Sequence, residues 1–394
     1  MQNVSSSNSQ AVNVPKLRFP GFTDDWSISS FNETFCFLSN NTLSRAELTD
    51  SGEVQNIHYG DILTKFGDVV DCSKEEISFV ADKSKLGSKI SYLQNGDVII
   101  ADTAEDDAVG KATEILNIQV PVVSGLHTMA CRPQFKFEPR YLGYYINSAC
   151  YHNQLYPFMQ GVKVTSVSKG NIALSEIRYP TNDEQHKIAS MLALVDARIE
   201  KQRTLIESLK LYKRGALNRV FSNMEQWQKK TIKEVAKINT GSSNTQDSDP
   251  EGIYPFFIRS QNVSSSKKYL YDCEAVLTIG DGQIGKVFHY INGKFDCHQR
   301  VYMMSSFKEV IGRYFYHYFS TFFLERAMRM SAKNTVDSVR LEMISEMPIF
   351  FPSIAEQTRI TKILDSVDSL IANESQTLDM LLRLKKGLLQ QMFI

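Results

Sequence analysis

A chain of 394 residues is too long for one ordinary hydrophobic core and suits two domains with connecting elements. With 42% hydrophobic and 22% charged residues, 23 Phe and 17 Tyr, it can bury substantial cores, which excludes disorder of the whole chain. Lys plus Arg and Asp plus Glu number 44 each, so no global positive field exists and any nucleic-acid binding must come from local patches.

In chain order, residues 1–14, rich in Asn, Gln and Ser, read as a disordered tail. The opening MQNVSSSNSQ has neither the basic nor the apolar segment of a signal peptide, and no run of 18 apolar residues follows, so the expectation is a cytoplasmic protein with no membrane contact. Residues 15–182 read as a first globular domain, 183–222 as a long helix, 223–354 as a second globular domain and 355–394 as a second long helix. The six cysteines, Cys36, Cys72, Cys131, Cys150, Cys273 and Cys297, form no CxxC pair; they read as free thiols, and no metal site is expected.

Self-similarity carries this division. Residues 179–221 align without a gap onto 351–393 at a constant offset of 172: Pro180, Glu184, Gln185, Ile188, Leu192, Val195, Asp196 and Ile199 recur as Pro352, Glu356, Gln357, Ile360, Leu364, Val367, Asp368 and Ile371. Leu209, Lys213, Gly215, Leu217 and Phe221 recur as Leu381, Lys385, Gly387, Leu389 and Phe393. Upstream the match is weaker: Arg140-Tyr141 faces Arg313-Tyr314, Ser166-Val167 faces Ser338-Val339, Val109-Gly110-Lys111 resembles Ile284-Gly285-Lys286, and Trp26, Phe31 and Glu33 resemble Trp227, Ile232 and Glu234. The chain is a tandem whose helical parts are alike and whose globular parts have diverged, as one attachment surface with two reading surfaces would require.

Ile188, Leu192, Val195, Ile199, Ile206 and Leu209 follow the 4-3-4-3 spacing of a coiled-coil seam, as do Ile360, Leu364, Val367, Ile371, Leu378 and Leu381. Gln202 and Glu374 interrupt the two seams at the same place, either fixing register or standing as harmless exposed positions. A helix from about Glu184 to Val220 is roughly 55 Å long. With a whole domain between them, the two helices can pair antiparallel within the chain; a dimerisation stalk is the other reading of the period. DNA half-sites read from one face commonly lie about 34 Å or a multiple apart, so such a rod suits a ruler.

Two motifs compete with a binding role. Gly280-Asp281-Gly282-Gln283-Ile284-Gly285-Lys286 matches both GxGxxG and GxxxxGK, but Val287 stands where a phosphate loop needs Ser or Thr, and KVFHYINGKF reads as a hairpin turning at Asn292-Gly293 rather than the required helix. His127 and His298 read as occupying related places in the two domains, each without a ligand-spaced partner, so structural or DNA-contacting roles are read for them. No methyltransferase motif or nuclease-type acid cluster is present, and no catalytic residue is assigned.

PKLRFPGFTDDW (15–26), the junctions IRYPTNDEQHKIASML (177–192) and IFFPSIAEQTRITKIL (349–364), and the domain–helix–domain–helix order resemble type I restriction-modification specificity subunits, over residues 15–394. The resemblance implies an α+β chain with two α/β target recognition domains in tandem, separated by two long antiparallel helices in an intramolecular coiled coil. It implies that each domain reads one half of a bipartite site in double-stranded DNA. It further implies partnership with methyltransferase (modification) and restriction/translocase subunits that carry S-adenosylmethionine, ATP and Mg, with no cofactor in this chain. The alternative is a coiled-coil scaffold with two protein-binding domains; a nucleotide hydrolase is a distant third.

Residue type and loop placement nominate the DNA contacts, from cationic and amide side chains. In the first domain these are Asn40, Asn41, Thr42, Arg45, Thr64, Lys65, Lys111, Lys163, Thr165 and Lys169. In the second they are Ser242, Ser243, Asn244, Arg259, Gln261, Asn262, Lys267, Lys268, His298, Gln299, Arg300, Lys333, Asn334 and Thr335.

Overall fold

The computed structural model describes residues 14–105, 108–159, 161, 165–330 and 338–394; all but residue 14 of the expected tail lies outside them. The chain forms two compact units, residues 1–203 with 377–394, and residues 204–376. Each unit therefore joins one globular domain to the start of the helix that follows it and to the end of the other helix. The helices run Asn182–Phe221 (40 residues) and Ile354–Gln391 (38 residues), about 60 Å and 57 Å of rise.

Within each unit the two helical segments are antiparallel. In the first, Lys385 Nζ meets Asp196 at 2.5 Å, and Leu388, Met392 and Phe393 share a core with Ile188 and Leu192. In the second, Lys213 Nζ meets Asp368 at 2.5 Å, and Phe221 shares a core with Ile360 and Leu364. The seam thus has two duties. Ile188, Leu192, Ile360 and Leu364 seat the helices into the domain cores, while Ile199, Ile206 and Val367 are buried along the helices; Val195, Leu209, Ile371, Leu378 and Leu381 are half-covered. Gln202 is buried and Glu374 half-buried, so neither is an exposed seam position.

The globular domains share a plan that their sequences hide. The first orders its main sheet Phe35–Phe37, Thr128–Pro133, Val98–Ala101, Ala112–Leu116, Val69–Asp71, the last pair parallel. The second orders Lys237–Thr240, Val301–Ser305, Tyr271–Ile279, Phe288–Cys297, Tyr254–Phe257, again with Phe288–Cys297 and Tyr254–Phe257 parallel, then adds Ser264–Ser266. The first adds a separate four-stranded sheet made of Val122–Ser124, Gln55–Ile57, Phe79–Val80 and Leu48–Thr49. Both open with a strand paired antiparallel to the strand before the long helix, Ser27–Ser30 with Glu176–Tyr179 and Gln228–Thr231 with Pro348–Phe351. Each opening strand leads into a short helix with a capping box, Ser30 with Glu33 and Thr231 with Glu234.

The repeated motif residues fasten helix to domain. Gln185 is buried at the first turn: its Nε2 donates to the Pro180 carbonyl at 2.9 Å and its Oε1 accepts from the Glu138 amide at 3.1 Å. Gln357 repeats this with the Pro352 carbonyl at 2.9 Å and the Ile311 amide at 2.8 Å, and adds the Glu309 carbonyl at 3.0 Å. Tyr141 and Tyr314 donate to the carbonyls of Arg178 (3.1 Å) and Phe350 (2.7 Å), equivalent positions in the last strand. At the other helix end Phe393 packs on Trp26, Tyr141 and Tyr145, and Phe221 on Trp227, Tyr314 and Tyr318. Such aromatic clusters combine large apolar burial with edge-to-face geometry.

One local expectation is corrected. Asn292-Gly293 lies inside the strand Phe288–Cys297, paired with Glu274 and Cys273, because Gly293 takes φ +138° without breaking the ladder; the hairpin turns instead at residues 280–287. The GxxxxGK stretch is therefore a strand-to-strand turn, with no following helix to face a phosphate.

Candidate functional site

The two sheets can be superposed by their ladders. Ala101 pairs with Thr128 in the first domain and Ile279 with Val301 in the second. The next residues close the same corner: the Asp102 amide donates to the His127 carbonyl (3.2 Å) and the Gly280 amide to the Arg300 carbonyl (2.7 Å). Val167 and Val339 then donate to the Asp102 and Gly280 carbonyls at 2.9 and 2.8 Å. The residue matching His127 is therefore Arg300; His298 stands two positions earlier, which corrects the histidine pairing read from the sequence.

The same backbone carries different chemistry. In the first domain His127 Nδ1 stands 3.3 Å from the Asp102 carboxylate, and Tyr59 meets the imidazole edge-on with centroids 5.3 Å apart. Tyr59 packs on His58, whose Nδ1 accepts from the Gly60 amide at 3.1 Å; burial, then Arg45, hold its pKa below the ordinary histidine value. Arg45 completes this group with a two-pronged ion pair to Asp61, at 3.0 and 2.7 Å. Tyr59, Asp61 and Asp102 had no distinguishing sequence signal, because their partners Arg45 and His127 lie well apart from them in the chain, and His58 joins the group through its neighbour Tyr59.

In the second domain Asp281 receives Arg300 Nη1 at 2.6 Å and Arg259 Nη1 at 3.2 Å. The Arg300 guanidinium, and after it that of Arg259, hold the Asp281 carboxyl below the usual carboxylate range against the upward push of its partial burial. Beside it Gln299 Nε2 donates to Asn244 Oδ1 at 2.7 Å, and His298 Nδ1 accepts the Arg300 amide at 3.0 Å. Burial, then Arg259 and Arg300, hold the His298 pKa down. A cavity of about 370 Å³ opens between Asp281, Gln299, Arg300, Tyr302 and Ser338. Thus Asn244, Arg259, His298, Gln299 and Arg300, far apart in sequence, come together.

Other nominated residues are spread out or already engaged. Asn41 is buried, its amide donating to Asn56 (2.7 Å) and the Ser124 carbonyl (2.9 Å), and Lys111 donates to the Leu63 and Phe66 carbonyls at 3.1 Å each. Both are fold-holding groups, as is Ser243, which donates to the buried Asp296 at 2.6 Å. Asn40 donates to the Gly125 and Thr128 carbonyls, Thr64 to the Gly60 carbonyl, and Lys65 to the Glu76 carbonyl. Thr165 sits in a two-residue strand paired with Ala104, and Lys169 lies over the Phe37 ring. Lys267 pairs with Asp249 (2.8 Å) and lines a second cavity with Ser242 and Lys268; Thr42, Gln261 and Asn262 are exposed. Lys163, Lys333, Asn334 and Thr335 lie outside the described residues.

Among the described residues one donor group has ligand-like spacing, His317 with Asp365 and Asp368. Its carboxylates already bind Arg313 and Lys213, so its charge is spent within the protein. No helix among the described residues is long and apolar enough to cross a membrane.

The type I restriction modification DNA specificity domain model matches residues 23–211 and again 224–383. The EcoDI type I restriction enzyme specificity subunit of Escherichia coli is 27% identical over 167 residues, 41% of this chain and 37% of that protein's length. A putative MjaX specificity subunit of Methanocaldococcus jannaschii is 21% identical over 96% of this chain and 95% of its own. Among solved structures, the type I system S subunit from M. genitalium superposes with a TM-score of 0.63 at 14% identity, covering 97% of this chain and 99% of its own. A chain from a study of complex assembly and conformational transition of the type I R-M system gives 0.52 at 17% identity, covering 95% and 98%. With two matches that together span most of its length, on two domains of one sheet order, the chain belongs to the type I restriction modification DNA specificity domain family.

Proposed function

We propose that this chain is the DNA-specificity subunit of a type I restriction-modification complex, in which each globular domain reads one half of a bipartite double-stranded site. One observation carries the reading: the domains share sheet order and helix attachments, yet the equivalent corner presents His127 on Asp102 in one and Arg300 on Asp281 in the other. A tandem of one scaffold with two differing polar corners suits two different base sequences. The scaffold reading has no comparable use for matched corners that differ only in donors and acceptors.

The chain acts here by binding alone, in the cytoplasm. Its partners are methyltransferase subunits that supply S-adenosylmethionine and restriction/translocase subunits that use ATP and Mg. Lys and Arg side chains around the corners would neutralise phosphates, and the corner groups would meet base edges. Assembling the chain with its modification subunit and sequencing the DNA methylated in a random library tests this. A split motif with a constant gap supports the reading; methylation without a motif, or with one contiguous motif, overturns it.

A further inference from the structure

The corner of the second domain has a chemical preference that can be stated. Arg300 is 62% exposed at its side chain, while Asp281, which holds it, is 20% exposed. Among the described residues both Arg300 and Arg259 reach Asp281 through Nη1, leaving the Nε–Nη2 edge of Arg300 for another partner. Both Asp281 oxygens are occupied, so the carboxylate orients its neighbours and is not itself free to read a base. A planar guanidinium fixed in this way offers two parallel N–H donors, the geometry that matches the O6 and N7 acceptors of guanine in the major groove.

A phosphate contact is the competing use. It fits poorly: an ionised carboxylate 2.6 Å from the guanidinium would stand near the phosphate and offset the attraction, whereas a base edge is neutral. Arg259 completes the group by leaving it one net positive charge, so the corner remains attractive to DNA.

Resting on the specificity reading above, we propose that Arg300 reads a guanine in the half-site of the second domain, with Asp281 as its positioning residue. The first domain carries His127 at the matching ladder position, and its nearby Arg45 is already engaged by Asp61 through both Nη1 and Nη2.

The experiment is methylation of a DNA library, randomised in both half-sites, by complexes assembled with the modification subunit. Arg300→Ala should relax one G·C pair of the second half-site by roughly 10- to 100-fold in discrimination. Arg300→Lys should relax it in part, because an ammonium keeps the charge and a donor but lacks the planar fork. Asp281→Asn should relax the same pair less, and Asp281→Glu should restore part of the discrimination, which a purely structural role would not produce. An unchanged first half-site shows in each case that the complex is folded and assembled. Full discrimination by Arg300→Lys, equal loss on every sequence, or relaxation at an A·T pair would overturn the assignment while leaving the specificity reading in place. If the unmodified protein gives no split motif, that reading fails and this one with it.

Discussion

The helix junctions and the sheet corners of the two domains obey opposite rules. At the junctions Gln185 and Gln357, Tyr141 and Tyr314, and Phe393 and Phe221 make matching contacts on both sides, with Gln357 adding one bond. At the corners one backbone path carries unlike side chains. A junction works only if its hydrogen bonds and ring packing close, so two copies with one task keep one solution. A corner that meets a partner outside the chain is free to change, since its hydrogen-bond groups need not all be satisfied internally.

The largest effects should come from the junction rings. Phe221→Ala and Phe393→Ala should each cost about 3–5 kcal/mol in the unit that holds the ring, read by denaturant unfolding; a clear inequality would break the equivalence of the two junctions.

Acid titration comes next and separates the domains. Burial pushes the Glu114 carboxyl up to about 7, although it accepts from the Arg140 and Gly143 amides at 2.7 and 2.9 Å. A raised folded-state pKa means tighter proton binding by the folded form, so its contribution is full below about pH 4.5 and is lost as pH rises through 7. The first unit should lose on the order of 3 kcal/mol from this group between pH 4.5 and 8, measured by thermal melts. Glu114→Gln should flatten that slope. The ladder position matching Glu114 in the second domain is Tyr290, which has no carboxyl to contribute it.

Smaller losses are expected at the buried amides. Gln185→Ala and Gln357→Ala should cost about 1–3 kcal/mol each by leaving buried backbone groups unpaired, with Gln357 the costlier because it makes one bond more. The double change Arg259→Ala with Gln261→Ala should move stability least, within about 0.5 kcal/mol. It should nevertheless weaken recognition of one half-site only, as methylation sequencing would show; equal loss at both halves would remove the distinction between the corners.

Much of the architecture was legible because helices announce themselves by period, and the offset of 172 kept Pro, Gln and Phe in step. The purpose of the Glu-Gln motif was not legible, since a buried Gln bonded to backbone 47 residues away reads like any surface Gln. The common sheet order was hidden for a related reason: strands pair by backbone, so sequence can drift while the ladder stays. Residue identity even misled, drawing His298 opposite His127 where the ladder places Arg300. Among the nominated residues, Lys111 and Asn41 failed the same test, having carbonyl and amide partners that only the fold brings near.

The sharing of helix ends between units also sets a timetable for synthesis. Residues 204–376 form an unbroken stretch and hold every group that closes their own unit, including Phe221. The first unit instead waits for Leu388, Met392 and Phe393 to fill the space beside Trp26 and Tyr141. The domain translated first is thus the one finished last, its aromatic floor at Trp26 and Tyr141 left open until residues 388–393 are made.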